Sequence, residues 1–334
     1  MSDRYSLLLL TVLVAILCLI SLCLGDQWTS LHNTLTLPFT NPESVSAVIT
    51  REIRLPRTLI ALIAGMSMGV SGAAMQGLLQ NPLASPGLVG SASGAALGAV
   101  LALYFFSNLW HPQLVPVAGM VGALLTTGVV YILAGRDATV STLILAGVAI
   151  NALAAAGLSL LLNLAPSPFA VRELVLWTLG DISDRSLRDA WIMLPCTLLG
   201  WAMLTGTGRS LDALTLGERT ARSMGVNMHR LSWRVFIAVS LCVGAAVATT
   251  GMIGFIGLVV PHLLRPFANY QPSRLLPLSA LGGAVMLLSA DISVRLIGIY
   301  TTIPVPLKVG VLTALVGAPF FLALILKSRR SYWQ

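Results

Sequence analysis

A bundle of helices crossing a membrane many times is the fold expected of this chain, on three observations. Hydrophobic residues fill 56% of its 334 positions and charged residues only 10%, more apolar surface than a water-soluble core could hide. The apolar residues fall into about ten runs near the roughly 20 residues that a helix needs to cross a bilayer. Short polar breaks separate the runs, and the basic residues collect in alternate breaks, as the topology of polytopic proteins demands.

The runs lie at 7–24, 57–79, 88–107, 115–134, 140–163, 189–207, 232–250, 252–267, 276–297 and 306–326. Arg4 precedes the first run as in a secretory leader, but no small-x-small site follows and the run is long enough to span, so it is read as a helix that stays. The second run ends in Gly72-Ala73-Ala74-Met75-Gln76, and Asn81-Pro82 and Pro86-Gly87 then stop one helix and start the next. This is a tight helical hairpin at the least. Gln76 and Asn81 further call for a protein partner or a cavity, because unpaired amides are costly in lipid. In the fifth run Asn151 raises the same demand for water or a partner, which makes that run a candidate pore-lining helix.

Residues 166–180 are too short and too charged to span; an amphipathic helix at the outer surface, with Trp177 at the interface, is expected there. The polar stretch 209–227 reads as two short helices, Glu218 opening an amphipathic turn and Gly225 closing it in a left-handed conformation. A solvated basic loop is the plainer alternative. The eighth run carries Gly251, Gly254 and Gly257 at a spacing of three, then Pro261, His262 and Arg265. Glycine and proline weaken a helix unless close backbone packing compensates. Lys308, before the tenth run, either snorkels to the headgroups, the preferred reading, or meets an anionic substrate.

An even number of spans puts both termini on one side, and the basic tail Lys327-Ser328-Arg329-Arg330 makes that side the cytoplasm. Twelve of the twenty basic residues then face inward, among them Arg4, Arg136, Arg209, Arg230, Arg234, Arg265 and Arg274, opposed only by Asp3, Asp137, Asp212 and Glu218. The whole formal charge of +8 sits on that face. Arg51, Arg54, Arg57 and Arg295 remain on the other face, where they either snorkel or form a docking surface whose planar forks each grip a carboxylate.

Several chemistries are excluded. The chain has no Gly-x-x-x-x-Gly-Lys-[Ser/Thr] phosphate loop, and its two lysines, Lys308 and Lys327, stand in no glycine-rich turn. His32, His111, His229 and His262 are scattered, and His262 reads as a structural hydrogen-bonding residue. Cys18, Cys23, Cys196 and Cys242 sit in apolar runs as packing residues. An intramembrane enzyme lacks a nucleophile–base or metal constellation. An ion- or proton-coupled secondary transporter is the alternative, with Asp291 its one strong acidic candidate.

Five blocks occur in order between Arg54 and Phe321: Arg54-Leu55-Pro56-Arg57; Gly72-x-x-Met75-Gln76 with Asn81-Pro82-Leu83-Ala84-x-Pro86-Gly87-Leu88-x-Gly90; Leu216-Gly217 through Ala221 to Gly225; Asp291-x-x-x-Arg295; and Thr313-x-x-x-Gly317-x-Pro319-x-Phe321. Together with the Gly254–Arg265 run they resemble the FecCD family, the membrane permeases of ABC importers for iron-siderophore complexes, haem and cobalamin. The lead-in to the tenth span departs from the family's commoner Glu-Leu-Pro-x-Gly.

The resemblance implies a cobalamin-importer-permease-like fold and a single transmembrane permease domain over 1–334, with a coupling segment at about 209–230 between two pseudo-symmetric halves. It implies that Arg54, Arg57 and Arg295 receive glutamates of a periplasmic binding protein; Arg51 has no such support. Leu216, Gly217, Glu218, Arg219, Ala221, Arg222 and Gly225 would enter a groove on an ATP-binding subunit. Gln76, Asn81, Asn151, Gly254, Gly257 and Pro261 would lie in the core or along the path.

The implied assembly is a second permease copy or a sister permease, a pair of ATP-binding subunits and the binding protein, in a bacterial inner membrane and without nucleic acid. The chain itself would bind no cofactor and no metal, with ATP and Mg on the partner ATPase. Cargo would move by alternating access, ferric siderophore ranking first, then haem and cobalamin.

Overall fold

The computed structural model describes residues 3–25, 29–105, 114–135, 140–301 and 307–331. Arg136, Asp137, His111 and the lead-in at 302–306 lie outside these residues, as do the side chains of Asp3, Arg4, Lys327, Arg329 and Arg330.

The helices follow in order as α1 (Asp3–Cys23), α2 (Leu31–Thr40), α3 (Val45–Ile49), α4 (Leu55–Leu78), α5 (Ser91–Phe105), α6 (Leu114–Ala134), α7 (Val140–Asn163), α8 (Pro168–Thr178), α9 (Leu187–Leu204), α10 (Gly208–Leu214), α11 (Glu218–Ser223), α12 (Met228–Thr250), α13 (Ile256–Leu264), α14 (Pro272–Tyr300) and α15 (Val309–Ser331). Among the described residues six helical stretches are long and apolar enough to cross a membrane, and the pair α9–α10, bent by 51°, makes a seventh. The shorter apolar helices α5 and α15 complete the expected set apart from the eighth run.

That eighth run does not form a spanning helix. Residues 251–255 are non-helical, Phe255 takes a left-handed φ of 67°, and only the nine residues of α13 are helical. Nine helical residues cover about 13 Å. Five extended ones add at most about 17 Å, so the two together match the roughly 30 Å of a hydrocarbon core. Pro261 explains why the helix is short and weak, since it has no N–H for the carbonyl of Gly257. Non-helical backbone at this depth is tolerated only where protein covers it; Gly251 lies against Trp177 and Gly180, Met252 against Gly180 and Gly310, and Phe255 against Gly317 of α15.

Helices α4 and α12 form the centre, with 78% of their apolar window buried, against 22% for α1 and α7 at the periphery. Small residues permit the close crossings: Gly65 and Gly69 of α4 meet Gly283 and Ser279 of α14, and Gly94 and Gly98 of α5 meet Gly122 and Ala118 of α6. Such contacts replace the hydrophobic drive that lipid does not supply. Helices α2 and α3 had no counterpart in the reading of the sequence; each is started by a serine, Ser30 and Ser44, whose hydroxyl accepts from a backbone N–H three residues on. The four cysteines are free, and Cys23 and Cys242 are buried.

Candidate functional site

The site is a column of polar contacts through an apolar bundle, with one cluster at each end of α4. Gln76 of α4 is 2% exposed. Its Nε2 donates to the carbonyl of Leu258 in α13 at 3.2 Å, and its Oε1 accepts from Arg265 at 2.7 Å. The amide therefore closes α4 onto the broken crossing. A Cβ built on Gly72 would stand 1.8 Å from the carbonyl oxygen of Gly257, the carbonyl that Pro261 leaves without its helical donor. Only hydrogen fits there. Gly257 in turn has Met68 and Pro86 where a Cβ would go, whereas Gly254 faces open space; the glycine spacing thus marks close packing at Gly257 and not at Gly254.

Asn81 accepts from the backbone N–H of Leu83 at 2.9 Å and shapes the turn after α4. Asn151 finds its partner in protein: its Nδ2 donates to Gly87 at 3.0 Å and its Oδ1 accepts from Ser93 at 2.5 Å. It thereby holds α7 against the turn that leads into α5.

At one end of the bundle, α10 and α11 form the two short helices expected. Gly217 (φ 98°) and Gly225 (φ 86°) take backbone conformations that side chains resist. No atom lies within 4 Å of a Cβ built on Gly217, so conformation rather than close approach within the chain explains that glycine. Ala221 is fully buried, while Leu216 and Met224 are 63% and 60% exposed. Glu218 pairs with Arg222 at 2.7 Å on the exposed face, which also carries Arg219.

The inner side of this segment is tied to the bundle by residues that sequence reasoning missed. Gln80 Nε2 donates to the carbonyl of Leu214, linking α4 to α10. Asp212 Oδ1 accepts from the backbone N–H of Ser273 at 2.8 Å, linking α10 to the start of α14. No local spacing announces either bond, because the partners lie far apart in the chain.

At the opposite end the structure brings Arg54, Arg57 and Arg295 together around a cavity of about 700 Å³. They are not a free surface. Asp291 of α14 is fully buried and accepts from Arg57 Nε at 2.8 Å through one oxygen and from Arg295 through the other. Arg295 also donates to the carbonyls of Ser21 and Leu24 at 2.8 and 3.2 Å, and Arg54 to those of Leu22 and Cys23, both at 3.1 Å. Those carbonyls belong to the last turn of α1 or directly follow it, where helical partners run out. The arginines thereby pin α1 to α4 and α14, and neither snorkel nor stand exposed. Arg51, which is exposed, pairs with Glu52 at 2.8 Å.

Lys308 corrects the expectation of snorkelling. Its ammonium pairs with Asp181, both side chains being 14% exposed. Burial pushes the Asp181 carboxyl up, but hydrogen bonds from Lys308 and Ser183 outweigh it and hold the group below the ordinary aspartate value. The pair is one of three ties in the same place, with Asp181 N–H donating to Thr250 at 2.7 Å and Gly310 N–H to Gly180 at 3.0 Å. Together they bind the loop after α8 to the end of α12 and the start of α15.

The model of the FecCD transport family matches residues 13–327. The vitamin B12 import system permease protein BtuC of Vibrio cholerae is 37% identical over 331 residues, covering 98% of this chain and 96% of that one. The ABC transporter permease protein YvrB of Bacillus subtilis is 39% identical over 289 residues, covering 84% and 80%. A solved structure of a metal-chelate type ABC transporter in an inward-facing conformation superposes with a TM-score of 0.83 at 29% identity, covering 98% of this chain and all of that one. PsaBC from Streptococcus pneumoniae shares the fold alone, at a TM-score of 0.52 and 18% identity.

Proposed function

The chain belongs to the FecCD transport family, and from that premise we propose that it is the transmembrane permease subunit of an ATP-driven importer for a bulky metal chelate. The observation that carries the proposal is the likeness to permeases over almost the entire chain. Ferric siderophore, haem and cobalamin are the candidate cargoes, and the vitamin B12 and metal-chelate importers among the similar proteins support a cargo of this class.

The geometry supports a part that moves rather than reacts. In the proposed arrangement the end with α10 and α11 faces the cytoplasm. The exposed Leu216, Arg219 and Met224 meet an ATP-binding subunit that holds ATP and Mg, while Gln80 and Asp212 carry its motion to α4 and α14. The crossing at 251–264 turns at the left-handed Phe255 and is weakened by Pro261, so it is a natural place for helices to shift. A second permease copy or a sister permease completes the path. A periplasmic binding protein docks at the opposite end, where its carboxylates would have to reach into the arginine-lined cavity. Both oxygens of Asp291 are already engaged by arginine, which weighs against a secondary transporter.

The test is uptake into proteoliposomes holding the chain, its ATP-binding subunit and a binding protein, comparing labelled cobalamin, ferric siderophore and haem. Uptake of one cargo that stops without ATP is expected. Uptake that persists without the ATP-binding subunit would favour the secondary-transporter reading.

A further inference from the structure

Two cavities meet at the end of the bundle that carries α10 and α11. One, of about 640 Å³, lies between α10, the segment after α11 and the start of α12, and is lined by Arg209, Arg230 and Arg234. The other, of about 760 Å³, is an apolar cleft between α4, α9 and α14, lined by Met66, Val70, Trp201, Leu204, Leu276 and Ala280. Gly206 and Arg209 belong to both linings. A basic chamber thus adjoins an apolar one that runs along α4, α9 and α14.

The charge in the basic chamber is uncompensated. Neither lining contains an acidic residue. The nearby acids are occupied elsewhere, Asp212 by Ser273 and Glu218 by Arg222. Among the described residues the side chains of Arg209 and Arg230 form no hydrogen bond or ion pair. Arg234 is held in place by the carbonyls of Met203 and Thr205 at the end of α9, its Nη2 donating to Thr205 at 2.6 Å. The chamber therefore has one positioned guanidinium and two free ones, a pattern suited to a phosphate with several acceptor oxygens.

We propose that these joined cavities bind an anionic glycerophospholipid of the adjoining leaflet, with its headgroup phosphate among Arg209, Arg230 and Arg234 and an acyl chain in the cleft between α4, α9 and α14. The apolar half is the reason to prefer a lipid to an acidic side chain of a partner subunit, which would use only the basic half. Basic pockets between membrane helices select acidic headgroups in this way, and buried methylene groups add to the hold. The lipid would bridge α10 and α12 to α4 and α14, so its occupancy would stiffen the same joint that Gln80 and Asp212 make. The inference needs the chain to cross a bilayer and is independent of what it imports.

The full chain, purified in detergent without its ATP-binding subunit, is to be titrated with phosphatidylglycerol, phosphatidylcholine and inorganic phosphate, with retention read by native mass spectrometry. Phosphatidylglycerol should be retained over phosphatidylcholine. Arg209→Gln and Arg230→Gln, which break no hydrogen bond or ion pair among the described residues, should each weaken it about fivefold. Ala280→Trp, which fills the cleft, should weaken the lipid while leaving phosphate unaffected. Equal retention of the two lipids, or indifference to both arginine changes, would overturn the proposal. So would loss of phosphate and lipid in parallel on filling the cleft. Protection of the basic chamber that appears only when the ATP-binding subunit is added would assign it to a protein contact instead.

Discussion

Asp291 and its two arginines show how residue identity and burial combine. A carboxylate buried between guanidiniums is stable only while the charges stay matched, so removing one partner leaves an uncompensated charge in an apolar setting. Asp291→Leu should cost about 3–5 kcal/mol and loosen α1, measured by thermal unfolding in detergent, whereas Arg51→Ala on the surface should change stability by less than about 1 kcal/mol. The Asp181–Lys308 pair makes a prediction about pH. Because the Asp181 carboxyl is held below its ordinary value of 3.8, its contribution is fully present above that value and is lost as pH falls through the lower value of the folded state. The difference in melting temperature between the protein and Asp181→Asn should therefore be constant from neutral pH down to about pH 4 and shrink below it. A difference that vanished already between pH 7 and 5 would contradict the sign of that shift.

Among the elements, α13 and its extended entry carry the most consequence. Gly72→Ala would force a methyl group against the backbone of Gly257, and overpacking of this kind costs about 1–3 kcal/mol. Gly254→Ala enters open space and should stay within about 0.5 kcal/mol. Chemical unfolding of the two variants side by side separates close packing from mere glycine content. If they were equally destabilised, the α4–α13 contact would not be what the glycines serve. At α11 the same logic gives a different result: Gly217→Ala should cost about 1–3 kcal/mol for the left-handed φ alone, although no neighbour in the chain stands in the way.

For the whole molecule the decisive question is how motion passes from α10 and α11 into the bundle. Gln80→Leu removes the bond from α4 to Leu214 while leaving the exposed face of α11 intact. In the reconstituted importer, ATP hydrolysis should continue while cargo moved per ATP falls. Unchanged transport per ATP would mean that the bond from Asp212 to Ser273 suffices by itself.

Hydropathy and charge were enough to find, among the described residues, the six stretches and the bent pair long and apolar enough to cross, the two shorter apolar helices, the helix before Gly180 and the two short helices at 209–227, because these features depend on local composition and on capping glycines. The motif blocks were enough for the family. Contacts across the chain were not legible. Nothing near Asp291 or Lys308 announces that the first will be clamped by Arg57, 234 positions away, or the second by Asp181, 127 positions away. The bonds from Arg54 and Arg295 to the end of α1 were hidden for the same reason. The eighth crossing, apolar from Met252 to Pro261, was indistinguishable by hydropathy from a full helix. Only packing against the end of α8, Gly180 and α15 lets its first part remain non-helical, since lipid could not satisfy that backbone and protein can.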